Sequence, residues 1–244
     1  MCAGSDLMAT RFGLADGRNT WSRPVDGASG DEGALIGTGD GRVYGYGAED
    51  AEGTSGVGSS YTVYALAAGT GKELWRTPTG SGEMAVVPDG PEGVVTFYGS
   101  QGDQYALLDA ETGEVRWRQP EPGDQGDCVL DSAADRAYLI CTAELEDGKS
   151  TETSVSEIDP ATGKPRWTVE AEGSLQMLGR QGGRLVFTDG VSMTRGLTLI
   201  DAASHKLTVR RLAEPRPEAS RAYLVRGTVY FTRTSGGVRA ASPP

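Results

Sequence analysis

Histidine is almost missing from this chain: His205 is the only one among 244 residues. A catalytic triad and a histidine zinc site each need an imidazole set among partners, so neither is available here. Cysteine is scarce too, with three in the whole sequence and none adjacent to another. Asparagine is nearly absent, Asn19 being the one in view. No apolar run approaches the roughly 20 residues of a membrane-spanning helix. No cationic-then-apolar leader opens the chain, which reads as cytoplasmic if it is complete as given and as extracytoplasmic or cell-envelope in the parent protein. Positive charge is in deficit, 23 Lys and Arg against 34 Asp and Glu, a formal net charge of −11. The basic residues are scattered apart from Arg210-Arg211. That argues against a nucleic-acid groove, which needs clustered cations for the phosphates; acidity of this kind serves solubility. What is abundant is glycine, 36 residues, in a soluble chain long enough for a substantial core.

The four tryptophans share one phrase, each lying four residues after a glycine. The copies are Asp16-Gly17…Trp21, Thr70-Gly71…Trp75, Thr112-Gly113…Trp117 and Thr162-Gly163…Trp167. A decayed copy, Ser204-His205…Val209, has valine where the indole should be and histidine in the glycine position of an exposed turn. The intervals are 75−21 = 54, 117−75 = 42, 167−117 = 50 and 209−167 = 42. A period of that size marks a stacked or radial architecture. Within residues 173–214 four short β-type runs are separated by turn residues, with no helical periodicity long enough to compete. The other copies keep this phase, with second-strand tyrosines (Tyr44, Tyr98, Tyr138, Tyr230) that read as core. The expected fold is all-β: a β-propeller of four-stranded antiparallel blades in a single domain, 1–244.

Four complete units span about 31–80, 81–122, 123–172 and 173–214, flanked by partial ones at 1–30 and 215–244. Counting back from Trp21 makes Leu7–Leu14 a third strand, Arg18–Arg23 a fourth, and Met1–Ala3 the tail of a second. At the other end Ala222–Val225, Val229–Thr232 and Gly237–Ala240 supply three strands. Two readings stay open: part of a longer seven- or eight-bladed ring, or five to six blades with irregular closure. Open sheet edges would favour self-association.

The third and fourth strands carry a phrase that resembles the repeat of the pyrroloquinoline-quinone-like propellers. It stands as Tyr64-Ala65-Leu66-Ala67-Ala68-Gly69-Thr70-Gly71-Lys72-Glu73-Leu74-Trp75, again from Tyr105 to Trp117, and again from Ile158 to Trp167. That family includes quinoprotein alcohol dehydrogenases, the propeller lipoprotein of outer-membrane assembly, and sensor regions of bacterial kinases. The resemblance implies that Trp21, Trp75, Trp117 and Trp167 dock on neighbouring blades. Gly17, Gly71, Gly113 and Gly163 take a left-handed turn conformation, and Asp109, Asp159 and Asp201 can accept hydrogen bonds from the turn backbone. Gly13 and Ala67 replace that aspartate in the first two copies, whose turns should be less well anchored.

The dehydrogenases hold their quinone with two adjacent, mutually bridged cysteines, a stacking tryptophan, and a calcium bound by Glu, Asn and Asp. This chain has no adjacent cysteines, and the repeat uses all its tryptophans. The expectation is therefore no cofactor, no metal and no catalytic residue. The preferred reading is a non-catalytic binding, scaffold or sensor module for a protein, peptide or cell-envelope ligand. The alternative is a subunit or remnant of a quinone-dependent dehydrogenase.

Cys128 and Cys141 fall opposite each other in a hairpin centred on Ala134-Asp135. They read either as a disulfide, which would place the parent protein outside the cytoplasm, or as two facing buried thiols. Cys2 fits an acylated lipoprotein start or a strand remnant. The second-to-third-strand connections vary most, and two are acidic: Glu49, Asp50 and Glu52 in one, Glu144, Glu146 and Asp147 in the other. They read as a binding rim or as a solvated fringe. The aspartates of Asp-Gly pairs (Asp16, Asp40, Asp89, Asp189) read as turn formers.

Overall fold

The structure, a computed structural model, describes residues 6–13, 15–29, 33–39, 41–49, 60–79, 84–87, 93–98, 104–120, 127–133, 136–145, 151–189, 196–211, 219–233 and 238–241. Every regular element among them is a strand. The first sheet pairs β1 (Asp6–Phe12) with β2 (Asn19–Ser29). Four four-stranded sheets follow, each running in chain order from edge to edge. They are β3 (Gly33–Gly39), β4 (Arg42–Glu49), β5 (Ser60–Ala67) and β6 (Glu73–Thr79); then β7 (Met84–Val87), β8 (Gly93–Tyr98), β9 (Gln104–Asp109) and β10 (Val115–Pro120). Next come β11 (Asp127–Ala133), β12 (Arg136–Glu144), β13 (Thr151–Ile158) and β14 (Pro165–Glu172). The last of the four is β15 (Leu175–Gln181), β16 (Arg184–Asp189), β17 (Leu197–Asp201) and β18 (Leu207–Arg210). A three-stranded sheet of β19 (Ala219–Val225), β20 (Thr228–Arg233) and β21 (Val238–Ala241) follows. Met1–Ala3 lie outside the described residues.

Burial explains why these sequences are strands of two kinds. Third strands are covered on both faces, so Tyr105, Ala106, Leu107 and Leu108 of β9 are all buried. Removing a leucine side chain from water contributes about 1.5–3 kcal/mol. Fourth strands are covered on one face only. In β10 the half-buried Val115, Trp117 and Gln119 alternate with exposed Arg116 and Arg118, the period of two expected of a pleated strand.

The chain forms two compact units. The first comprises Met1–Gly123 with Asp135–Ala137 and Asp159–Lys164. Its core gathers Tyr44, Val63, Ala65, Trp75, Val94 and Leu108, with a smaller cluster of Ala9, Tyr64 and Leu66 beside Trp21. The second comprises Asp124–Ala134, Tyr138–Ile158 and Pro165–Pro244. One of its clusters packs Trp167, Val169 and Leu207 against Tyr138, Phe187 and Ile200; the other sets Val186, Leu197 and Leu199 on Val229 and Phe231. No helix among the described residues is long and apolar enough to cross a membrane.

Candidate functional site

The third-to-fourth-strand turns share one backbone. In the third copy Asp109 N–H donates to the Glu114 carbonyl (2.8 Å) and Gly113 N–H to the Asp109 carbonyl (2.9 Å). The same pair recurs from Gly13, Ala67, Asp159 and Asp201. Asp109 Oδ1 also accepts from the N–H groups of Glu111 (2.7 Å) and Thr112 (2.9 Å), and Arg116 Nε donates to Oδ2 at 2.7 Å. Burial pushes the Asp109 carboxyl up, but these bonds outweigh it and hold the group below its ordinary value. Bonds from Ser204 and Ala203, with the charge of Arg184, likewise hold Asp201 low. The weaker anchoring expected at Gly13 and Ala67 is confined to the missing side-chain bonds. Their backbone bonds, Gly13 N–H to Arg18 O and Ala67 N–H to Lys72 O, are 2.8 Å like the rest.

Each indole of the first three copies reaches the next copy's turn. Trp21 Nε1 donates to Ala68 O (3.0 Å), Trp75 Nε1 to Ala110 O (2.8 Å) and Trp117 Nε1 to Pro160 O (2.8 Å). Two residues on, Thr77 Oγ1 donates to Gly113 O (2.7 Å) and Gln119 Nε2 to Thr162 O (2.8 Å). The ring face lies on the turn glycine so closely that a Cβ on Gly71, Gly113 or Gly163 would stand 2.5, 2.6 or 2.6 Å from Trp21, Trp75 or Trp117. Those glycines also have φ of 69°, 71° and 74°, so two separate constraints demand glycine. Gly17, with φ 67°, has nothing within 4 Å of the same point among the described residues.

The fourth indole departs from this pattern because the turn that follows it carries His205, at φ 57°, in place of glycine. Trp167 stacks on the imidazole, ring centroids 4.9 Å apart and planes at 26°. Its N–H turns back to Glu157 Oε2 (3.1 Å), a carboxylate 2% exposed that Arg166 also holds at 3.2 Å. Glu157 occupies the place of Ala65 and Leu107 in other copies, so the repeat phase alone would have exposed it; it was not singled out from sequence.

The fifth copy differs by more than a Trp-to-Val change. In the other four an extra residue bulges just before the tryptophan, giving Arg11↔Trp21, Ala65↔Trp75, Leu107↔Trp117 and Glu157↔Trp167. In the fifth the ladder is regular and Leu199 faces Thr208. A one-residue slip turns each side chain to the opposite face, so Thr208 takes the indole's place and Val209 points outward, 55% exposed. The row Tyr44–Ala65–Trp75 thereby becomes Val186–Leu199–Thr208, and a cavity of about 190 Å³ lies beside it. Leu199 and Thr208 line it together with Ser204, Asp201 and three cations, Arg184, Lys206 and Arg210.

The remaining predicted residues fall as follows. Cys128 and Cys141 are joined by a disulfide between β11 and β12. Glu49 and Glu144 end β4 and β12. Asp50, Glu52, Glu146 and Asp147 lie outside the described residues, as do Asp40, Asp89 and Cys2. Tyr44 and Tyr138 are buried against Trp75 and Trp167, centroids 6.1 Å apart in each pair. Burial pushes the Tyr64 hydroxyl up to about 12, which rules it out as a base near neutrality. Among the described residues no three His, Cys, Asp or Glu converge as metal ligands would. The residues present do not fit the quinone of the related dehydrogenases. All four indoles are engaged in docking or stacking, and the paired cysteines stand 13 residues apart rather than adjacent.

No curated protein sequence matches the chain. Among solved structures, dihydro-heme d1 dehydrogenase NirN in complex with DHE is 16% identical, with a TM-score of 0.56 over 95% of this chain and 50% of that one. A europium-containing methanol dehydrogenase is 14% identical, with a TM-score of 0.54 over 95% of this chain and 59% of that one. BamB from Moraxella catarrhalis is 14% identical, with a TM-score of 0.38 over 100% and 92%. At such identities the two dehydrogenase likenesses show the fold, a β-propeller, and nothing about chemistry. The family described as outer membrane protein assembly factor BamB matches residues 5–151 and 59–242. With nearly its whole length matched, the chain belongs to that BamB family of pyrroloquinoline-quinone-like β-propellers.

Proposed function

We propose that this chain is a non-catalytic binding or scaffold module for a protein, peptide or other cell-envelope ligand. The observation that carries the reading is how the tryptophans are used. Three donate their N–H to the following turn while their faces cover its glycine, and the fourth stacks on His205. No indole is left to stack on a quinone. The family's own description, an outer membrane protein assembly factor, points toward protein partners and the cell envelope. The Cys128–Cys141 bond supports an extracytoplasmic location, because such bonds persist in oxidising compartments.

Ligand contact is assigned to the rim of second-to-third-strand connections, with Glu49, Asp50 and Glu52 in one and Glu144, Glu146 and Asp147 in another. Loops held by a rigid scaffold are where binding residues concentrate. Dye-linked alcohol oxidation after addition of pyrroloquinoline quinone and calcium tests the non-catalytic reading. The expected rate equals that of a protein-free control; turnover requiring both additions would overturn the reading. Replacing both acidic segments with Gly-Ser should abolish partner capture, and unchanged capture would discard the rim.

A further inference from the structure

The fourth joint of the tryptophan series is suited to carry a charge. In the first three, the indole N–H donates to a carbonyl of the following turn and the ring covers a glycine. Trp167 does neither. Its N–H goes back to Glu157 Oε2 in its own sheet, and its face lies on the His205 imidazole, centroids 4.9 Å apart. His205 holds that place at φ 57°, a left-handed conformation that glycine adopts freely and a side chain disfavours. A residue held against backbone preference, where the other turns have glycine, is the kind of outlier from which a task is inferred. Glu157, Arg166, Trp167 and His205 all belong to the second unit.

We infer that the Trp167–His205 stack is a proton-sensitive clasp between the sheet β11–β14 and the sheet β15–β18, tighter when the imidazole is charged. Three observations support it. Indole is the best aromatic partner for a cation, effective within about 6 Å of the ring centroid, and the imidazole lies inside that distance. The indole N–H is bonded to a carboxylate only 2% exposed, so negative charge sits at the ring's edge where it is little screened. His205 itself is exposed, so a proton reaches it without any opening of the fold. The other charged groups around the pair are Arg166 on the indole's strand and, in the imidazole's own sheet, Asp201, Lys206 and Arg184. With Glu157 included, three cations stand against two carboxylates, a surplus that alone would oppose a further cation. Lys206 and Arg184 are exposed and screened by water, whereas the rings touch directly, so the ring contact sets the sign. Histidine is the side chain whose charge ordinarily changes between pH 5 and 8. The clasp's contribution is therefore full in acid and lost as the pH rises through that range.

The inference is independent of the non-catalytic reading, and its failure leaves that reading untouched. The test melts the full chain and His205→Gln at pH 8 and at pH 5.5, followed by circular dichroism. The parent's melting temperature minus the variant's should grow by about 2 °C on going to pH 5.5. Taking the difference cancels Asp131, whose carboxyl is pushed up by burial and adds stability in acid in both proteins. Asp109 and Asp201, held below their ordinary value, lose their contribution only in stronger acid. With Trp167→Phe in both proteins, the pH-dependent part should fall by at least half, because phenyl is the weaker partner for a cation. Tryptophan emission gives a second readout: a charged imidazole in contact quenches indole, so acid should dim the parent more than His205→Gln. A melting difference equal at the two pH values, or larger at pH 8, would overturn the clasp. So would a pH-dependent part undiminished by Trp167→Phe. Should His205→Gln fail to fold, His205→Gly, which restores the residue of the other turns, takes its place with the same expectations.

Discussion

Glycine in the tryptophan phrase answers two demands, and single substitutions can separate them. Gly113 and Gly17 have nearly the same φ, 71° and 67°, but only Gly113 lies under an indole. Alanine at Gly17 should therefore cost only the left-handed backbone, about 1–2 kcal/mol. Alanine at Gly113 should cost that plus displacement of Trp75, on the order of 3 kcal/mol or more, because overpacking adds about 1–3 kcal/mol. Urea midpoints of the two variants check the ordering; equal losses would mean the ring does not press on the turn. Asp109 supplies a pH test at the same scale. Its folded pKa is depressed, so its stabilisation is full above the ordinary aspartate value near 3.8 and is lost as pH falls through the folded value. Asp109→Asn should cost about 1–2 kcal/mol at neutral pH. The difference from the parent should narrow in acid, as read from denaturation at several pH values.

At the scale of the element, the bulge before each tryptophan turns the indole toward the next turn. Where the indole is gone the bulge is gone, and the exposed Val209 carries little. Val209→Ala should change stability by less than about 0.5 kcal/mol, whereas Trp167→Ala should cost about 3–5 kcal/mol; thermal melts of the pair decide. The glycine-to-tryptophan spacing was legible in the sequence because it fixes both the turn and the docking plane. The sheet order was legible because the glycine-tryptophan phrase marks where each third strand ends and each fourth begins, and turn residues separate the other runs. The register slip of the fifth copy was not, since pairing partners belong to no single residue type. Glu157 reads as an ordinary polar strand residue until the repeats are superposed, when it falls where Ala65 and Leu107 stand in other copies. The Cys128–Cys141 bond, which sequence left open against two free thiols, joins two residues 13 apart in the chain. For a loop of roughly 15 residues such a link contributes about 3 kcal/mol, so reduction should lower the melting temperature by several degrees. An unchanged melt after reduction would remove it from the account.

Across the whole molecule, one device recurs with graded fidelity. Three copies dock an indole on a bare glycine, a fourth stacks on histidine, and the fifth abandons the indole for a cationic cavity. The indole's N–H is thus a reporter of whether the repeat holds sheets together or serves a reaction centre. The direct measurement is hydrogen exchange of the indole Nε1–H signals, assigned by single Trp→Phe variants and followed by nuclear magnetic resonance. Slow exchange is expected at Trp75 and Trp117, whose N–H groups donate to Ala110 and Pro160 at 2.8 Å, unchanged on adding quinone and calcium. Rapid exchange at both, or a saturable shift of either signal on adding the quinone, would contradict it.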